Sequence, residues 1–295
     1  MNGIAAGASD PVARQIERYR EQRVVLLTQH GKEHLIGPIL QATLGCRVER
    51  IDGYDTDLLG TFTRDIPRDG SQLDAARRKA RIGMQLGQSR LGIASEGAFG
   101  LDPYAGFFPW NTELVVFIDD DAGIELIGMA QGPARSLHRS VKDWSELETF
   151  AHQAGFPEHH LVVRPHDERN APLHKGLASW DALRSAFAQA ADASSSRAVF
   201  VENDLRAHCN PTRQTVIREA ANNLVARLRS FCPACERPGY WIAEQKAGLP
   251  CAECQAPTKE PVSDIWCCSG CGYHEEQRRD TASLANPERC DYCNP

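Results

Sequence analysis

The chain has no apolar run approaching the roughly 20 residues that a membrane-spanning helix requires, and it has no surplus of positive charge. Its 33 Lys and Arg face 39 Asp and Glu, a formal net charge of −6. A general polyanion binder neutralises phosphates with Lys and Arg, so nucleic acid is not the expected partner. The start, Met1-Asn2-Gly3-Ile4-Ala5-Ala6-Gly7, has neither the basic nor the apolar stretch of a secretory leader. A cytoplasmic protein with no membrane partner is expected. The phosphate-binding pattern Gly-x4-Gly-Lys-Ser/Thr is absent too, which excludes that nucleotide loop. What remains is an ordinary globular composition, 42% hydrophobic and 24% charged over 295 residues, enough for more than one domain.

Cysteine is plentiful and unevenly placed. Eight of the eleven form four Cys-x-x-Cys pairs, Cys232/Cys235, Cys251/Cys254, Cys268/Cys271 and Cys290/Cys293. In a reducing compartment such pairs mean metal rather than disulfides. Fifteen residues separate the first two pairs and eighteen the last two. Each gap suits a β-hairpin, so the simplest assignment gives one zinc to Cys232, Cys235, Cys251 and Cys254. The other zinc takes Cys268, Cys271, Cys290 and Cys293. An interleaved cross-brace, first pair with third and second with fourth, stays open. Cys267 lacks the x-x spacing, and His274 is a spare ligand at best. Four thiolates leave zinc no open position, so both sites read as structural. Residues 231–295 hold six Lys and Arg against ten Asp and Glu. That sign suits a protein partner better than a phosphate backbone.

Before the cysteines, apolar periodicity alternates between strand and helix. Strands are expected at 23–29, 46–52, 91–95, 113–119, 124–130, 160–164 and 197–202. Helices are expected at 11–22, 32–44, 71–86, 144–154, 180–191 and 211–230. Asp120-Asp121-Ala122-Gly123 marks a hairpin turn. The alternation predicts an α/β fold with a mainly parallel sheet flanked by helices, one antiparallel hairpin and a small double zinc ribbon. Three regions follow: an N-terminal tail and helix (1–22), an α/β domain (23–230) and a tandem zinc-ribbon domain (231–295).

Ligands of open α/β sheets bind beyond the carboxyl ends of the strands. Thr28, His30 and Lys32 follow the first strand at a helix start, where an anion is favoured. The helix from Ser71 carries Arg77, Arg78, Lys79 and Arg81. Glu96 leaves a strand next to Gly97, a place that suits Mg²⁺ held with substrate phosphates. Asp204, Arg206, His208 and Arg213 crowd one segment ahead of a helix whose start, Asn210-Pro211, has good capping residues. They supply an acid, a cationic clamp and a histidine for proton transfer. Catalysis is therefore expected from Glu96, Asp204, Arg206 and His208, and phosphate binding from Thr28, His30, Lys32, Lys79 and Arg213.

Two resemblances bear on this reading. The patterns His30-Gly31-Lys32-Glu33, Asp55-Thr56-Asp57-Leu58-Leu59-Gly60-Thr61, Ala80-Arg81-Ile82-Gly83, Ser95-Glu96-Gly97 and Asn210-Pro211-Thr212-Arg213, followed by the cysteine pairs, resemble an uncharacterised bacterial domain family. That likeness carries no activity. Residues 23–130 also resemble the inosine/xanthosine triphosphate pyrophosphatases, through Thr28, Lys32, Lys79-Ala80, Glu96 and the 113–130 hairpin. This likeness implies phosphates on Thr28, Lys32 and Lys79 and Mg²⁺ on Glu96. The expectation is thus a Mg²⁺-dependent enzyme acting on a phosphorylated small molecule, a nucleotide pyrophosphohydrolase. The alternatives are a non-catalytic zinc-ribbon scaffold and a nucleic-acid-associated protein that uses Arg77 to Arg81.

Overall fold

A computed structural model describes residues 10–56, 70–171, 173–279 and 284–295. Most of the 55–61 pattern lies outside the described residues. The chain divides into two compact units: Gln15–Val225, and Ala226–Pro295 with the start of the chain up to Arg14. Among the described residues no helix is long and apolar enough to cross a membrane.

The first sheet of the 15–225 unit has the order β2-β1-β3-β4-β5. Its strands are β1 (Arg23–Leu27), β2 (Arg47–Ile51), β3 (Leu91–Leu101), β4 (Pro109–Asp119) and β5 (Ile124–Pro133). β1 is parallel to both β2 and β3, while β3–β4 and β4–β5 are antiparallel. Successive side chains on a strand face opposite ways, which sorts the helices. α3 (Gln72–Leu86) packs Ala76, Ala80 and Met84 on Val25, Leu27, Ala94, Val116 and Ile118. On the other face lie α1 (Pro11–Tyr19), whose Tyr19 ring meets Phe117 edge-on at 5.5 Å, and α2 (Glu33–Leu44), whose Gly37 sits beside Val48. That face also takes α6 (Pro211–Leu228). α6 comes so near Gly128 of β5 that a Cβ there would stand 2.3 Å from the Ala220 carbonyl oxygen. Only glycine fits. α3 starts with the expected cap: Ser71 and Asp74 bond reciprocally in a capping box.

The expectation of a mainly parallel sheet is overturned. Among the described residues only two strand pairs are parallel, both in the first sheet. The second sheet, order β6-β9-β7-β8, is wholly antiparallel. Its strands are β6 (His138–Val141), β7 (Leu161–Pro165), β8 (His174–Leu177) and β9 (Val199–Asn203). The reason is topological. β6 and β7 each run antiparallel to β9, so they are parallel to one another with β9 between them, and α4 (Trp144–Ala154) joins them. β8 and β9 stand in the same relation about β7, joined by α5 (Trp180–Ala193). Strand–helix–strand alternation is real here, but each unit is threaded by a strand of the other. α4 and α5 cover one face with Leu147, Phe150, Leu183 and Ala186 on Val141, Leu161, Val163, Val199 and Val201.

The ribbon unit is a three-stranded antiparallel sheet, β10 (Trp241–Ala247), β11 (Pro261–Cys267) and β12 (His274–Arg278), in that order. Among the described residues neither cysteine gap holds the expected hairpin. Each gap contributes a single strand instead. A seven-residue strand spans roughly 23 Å, so successive Cys-x-x-Cys turns fall at opposite ends of the sheet.

Candidate functional site

The ribbon alternation decides the metal pairing. Cys232, Cys235, Cys268 and Cys271 form one group, and Cys251, Cys254, Cys290 and Cys293 the other. This is the interleaved arrangement, and the sequential assignment is corrected. Sulfurs from partner turns lie 3.7 Å apart for Cys232/Cys271 and Cys235/Cys268, 3.8 Å for Cys251/Cys293 and 3.5 Å for Cys254/Cys290. A tetrahedron with Zn–S bonds of about 2.3 Å has sulfur–sulfur edges of about 3.8 Å. The two groups could therefore bind two zinc ions. The first cysteine of each pair is buried and the second exposed. A backbone N–H four residues on, at Glu236, Gln255, Gly272 and Asn294, donates to the first cysteine's carbonyl and closes the turn. Cys267 and His274 are in neither group. A small apolar core, Tyr240 and Trp266 with Cys232 and Cys268, sits beside the first group.

In the 15–225 unit the candidate site forms where β1 stops. β1 pairs with β3 only as far as Leu26 opposite Ile93, while β3 continues to Leu101. Glu96 is thus not at a strand end, as expected, but inside a strand held on its other side by β4. Lys32, at the start of α2, reaches the exposed edge of β3. Its Nζ donates to the Ser95 carbonyl oxygen (3.0 Å) and to Ser95 Oγ (3.2 Å), and lies 3.9 Å from Glu113 Oε2. Glu113 of β4 accepts from Arg213 of α6 (Nε to Oε1, 2.7 Å) and from Asn111 Nδ2 (3.1 Å). Arg213 also donates from Nη1 to the Leu205 carbonyl oxygen at 2.6 Å. Gly97 pairs with Glu113 across the strands, and a Cβ at Gly97 would stand 2.2 Å from Glu113 Oε1 and 2.5 Å from Arg213 Nη2. The glycine makes room for the ion pair.

Lys79 of α3 pairs with Glu96, and Gln72 Nε2 donates to the Glu96 and Thr112 carbonyl oxygens at 2.8 and 2.9 Å. By strand alternation Glu96 faces α3, whereas Ser95 and Gly97 face α2 and α6. Lys32, Lys79, Glu96 and Arg213 lie near one another but are divided between the two faces of β3, beside the edge that β1 leaves. All four charged partners still act on Lys32. Burial, then the Arg213 guanidinium, lowers its pKa to about 7, against the pull of Glu113 and Glu96.

The remaining candidates fall nearby. Thr28 is buried and its Oγ1 accepts from the His30 N–H at 3.4 Å. The His30 and His208 rings stack with centroids 5.4 Å apart. Burial, then Arg206, lowers the His208 pKa. Asp204 and Arg206 pair at 2.6 Å, and Asp204 Oδ2 also accepts from the Gly176 N–H at 3.0 Å. That carboxylate therefore anchors β8. Asn210 caps α6 through the Arg213 N–H at 3.0 Å. Among the described residues, only the cysteine groups bring three or more metal-ligating side chains together.

Sequence reasoning missed Glu113, Ser95, Asn111 and Gln72. Glu113 left a signal: it is one carboxylate leading an apolar strand, Leu114 to Ile118. A charge buried there needs a partner.

Residues 79–295 match the domain of unknown function DUF6671. The chain belongs to the DUF6671 family. The DUF6671 match takes in Lys79, Glu96, Glu113, Arg213 and all eight paired cysteines, and it leaves Thr28, His30 and Lys32 outside. No curated protein matches the chain. Nothing in these comparisons supports an inosine/xanthosine triphosphate pyrophosphatase segment in residues 23–130.

Proposed function

We propose that the 15–225 unit is an enzyme acting on a phosphorylated small molecule, with a nucleotide as the first candidate, and that the ribbon unit holds two structural zinc ions. The observation that carries the first part is the charge balance around Lys32. Three cations, Lys32, Lys79 and Arg213, meet two carboxylates, Glu96 and Glu113, beside the open edge of β3. With Lys32 protonated these cations outnumber the carboxylates by one among the described residues, a balance that favours an anion in a place largely screened from water. In this reading Lys32, Lys79 and Arg213 attract the phosphate, Thr28 and His30 line the approach, and His208, held against His30, transfers a proton.

Magnesium has a narrower place in this reading than the resemblance implied. A Mg²⁺ ion on Glu96 would have to draw that carboxylate away from Lys79. Pairing within the chain makes the nucleic-acid alternative the less favoured reading. Arg77 pairs with Glu125, Arg81 with Asp120 and Lys79 with Glu96. For the ribbon, four thiolates in each group leave no open coordination position, which is the mark of a structural site.

The test is a panel of nucleoside triphosphates and inorganic pyrophosphate, with and without Mg²⁺, against zinc-loaded protein. Both melting temperature and phosphate release are measured. A ligand of the folded form raises the melting temperature. Glu96→Gln should abolish turnover and leave helix content and zinc content unchanged. Binding without turnover across the panel would favour a non-catalytic anion-binding scaffold, and retained turnover in Glu96→Gln would remove that carboxylate from the chemistry.

A further inference from the structure

The β3–β4 turn carries four large apolar side chains that the candidate site does not use. Leu101 is 64% exposed, Tyr104 83%, Phe107 79% and Phe108 66%. Isolated apolar residues on a surface mean little, but a contiguous group on one turn marks a contact site.

The turn is rigid. The buried Asp102 carboxylate accepts from the backbone N–H groups of Tyr104 (3.1 Å), Ala105 (2.6 Å), Phe107 (2.9 Å) and Phe108 (2.9 Å). Asp102 N–H donates to the Phe108 carbonyl oxygen at 2.8 Å, and Gly106 N–H to the Asp102 carbonyl oxygen at 3.1 Å. Pro103 and Pro109 have no N–H to satisfy. Every backbone donor from 102 to 109 is therefore engaged inside the turn, whereas a loop adapted to water can leave its donors to water. These donors, with that of Ala105 foremost, hold the Asp102 carboxyl well below the usual carboxylate range. Its charge is solvated by these N–H groups and is turned away from the surface. The Tyr104 ring is braced edge-on by Trp110 at 6.2 Å.

Which occupant this surface fits follows from charge and area. The chain carries −6, and from Leu91 to Ala134 it has no Lys, Arg or His. An anionic bilayer binds juxtaposed cations, and this turn has none to offer. A two-fold contact between copies brings identical groups together near its axis, where like charges would repel, so a patch with no exposed charge suits it. This turn meets that condition. Its four side chains expose on the order of 500 Å². Burying two such patches gives about 1,000 Å² in total, the lower bound for a specific interface.

We propose that the β3–β4 turn is a self-association surface, on which a second copy of this chain packs the same turn about a two-fold axis. The contact makes a dimer that dissociates on dilution. Because the turn is ordered in advance, little conformational freedom is lost on pairing.

Sedimentation velocity of the zinc-loaded full chain over a hundredfold concentration range tests this. The weight-average mass should rise from 32.6 kDa toward twice that value, and added salt should not reverse the rise. Phe107→Ser with Phe108→Ser should stay monomeric throughout. Asp102→Asn keeps the aromatic surface but removes half of the carboxylate's acceptor role, and should weaken the dimer at least tenfold. Circular dichroism and melting of both variants separate a lost contact from a lost fold. A wild-type chain that is monomeric at every concentration, or a dimer indifferent to the Phe107/Phe108 change, overturns the proposal. So does a monomer that co-sediments with phosphatidylcholine vesicles through the same two residues.

Discussion

Residues 15–225 bury eight charged side chains, Lys32, Glu96, Asp102, Glu113, Asp119, Arg164, Asp204 and Arg213, while among the described residues the ribbon unit buries none. The ribbon instead buries one cysteine from each of its four pairs and leaves Glu244, Glu275 and Glu276 in solvent. The larger unit has sheet and helix enough to surround a charge and to supply a partner for it. The smaller one has an apolar core of a few residues and cannot. With the proposed zinc bound, it gains its cohesion from outside the polypeptide. Two kinds of stability result. One is distributed over packing and tolerates loss at a single point in proportion to that point's burial. The other is concentrated in two ions and is lost as a unit.

The largest expected effect follows from this. Structural zinc contributes roughly 10–16 kcal/mol of apparent free energy per site at neutral pH. Chelation should unfold the ribbon while the helices of the 15–225 unit persist, read by circular dichroism with limited proteolysis. Zinc stoichiometry in paired variants sharpens the point. With interleaved groups, Cys232→Ser plus Cys268→Ser strikes one site twice and should retain one zinc. Cys232→Ser plus Cys251→Ser strikes both sites and should retain none. Sequential pairing predicts the reverse outcome for the two variants, so metal analysis of purified protein decides between them.

An intermediate effect should come from the buried pair. Arg213 and Glu113 are each no more than 2% exposed. Removing one member strands the other's charge, at a cost of about 3–5 kcal/mol. Arg213→Met should therefore lower stability by that amount in urea unfolding of the 15–225 transition. Adding Glu113→Met should recover most of it, because the double change removes the stranded carboxylate. Equal loss in the single and double variants would show that packing and the Leu205 contact, rather than the charge, set the value.

How much of this was legible in the chain differs between the units for physical reasons. The eight ligands were plain, because thiolates two residues apart have few other uses. Their pairing was not, because spacing within a gap does not say whether the gap holds one strand or two. The thirteen-residue gap between Cys254 and Cys268, too short for a comfortable hairpin of ribbon length, held the hint. In the larger unit the helices and the first parallel strands were readable from periodicity. β6 and β8 were not: they are four residues each and mostly polar. Without them β7 and β9 looked like neighbours in a parallel sheet. Lys32, Glu96 and Arg213 were singled out in the segments that follow strands and Lys79 on a helix, yet the partners Glu113 and Ser95 were hidden. Glu113 sits a hundred residues from Arg213, and nothing local announces such a contact.

The last expected effect is a dependence on pH, and its sign separates a structural lysine from a binding one. The pKa of Lys32 in the fold is lowered from 10.5 to about 7. Between those values the unfolded chain carries a proton that the folded chain does not, so unfolding takes up a proton and stability rises with pH. Below about 7 both states are protonated and the burial penalty is complete. Lys32→Met has no such proton. The difference in melting temperature, wild type minus Lys32→Met, should therefore grow between pH 7 and pH 10. Anion binding should run the other way. A bound phosphate favours the ammonium, so affinity for pyrophosphate should fall as pH rises through 7 in wild type and be flat in Lys32→Met. If both differences are flat, the lysine only closes the open edge of β3. If stability moves and affinity does not, the charge is tuned by its surroundings but faces no ligand.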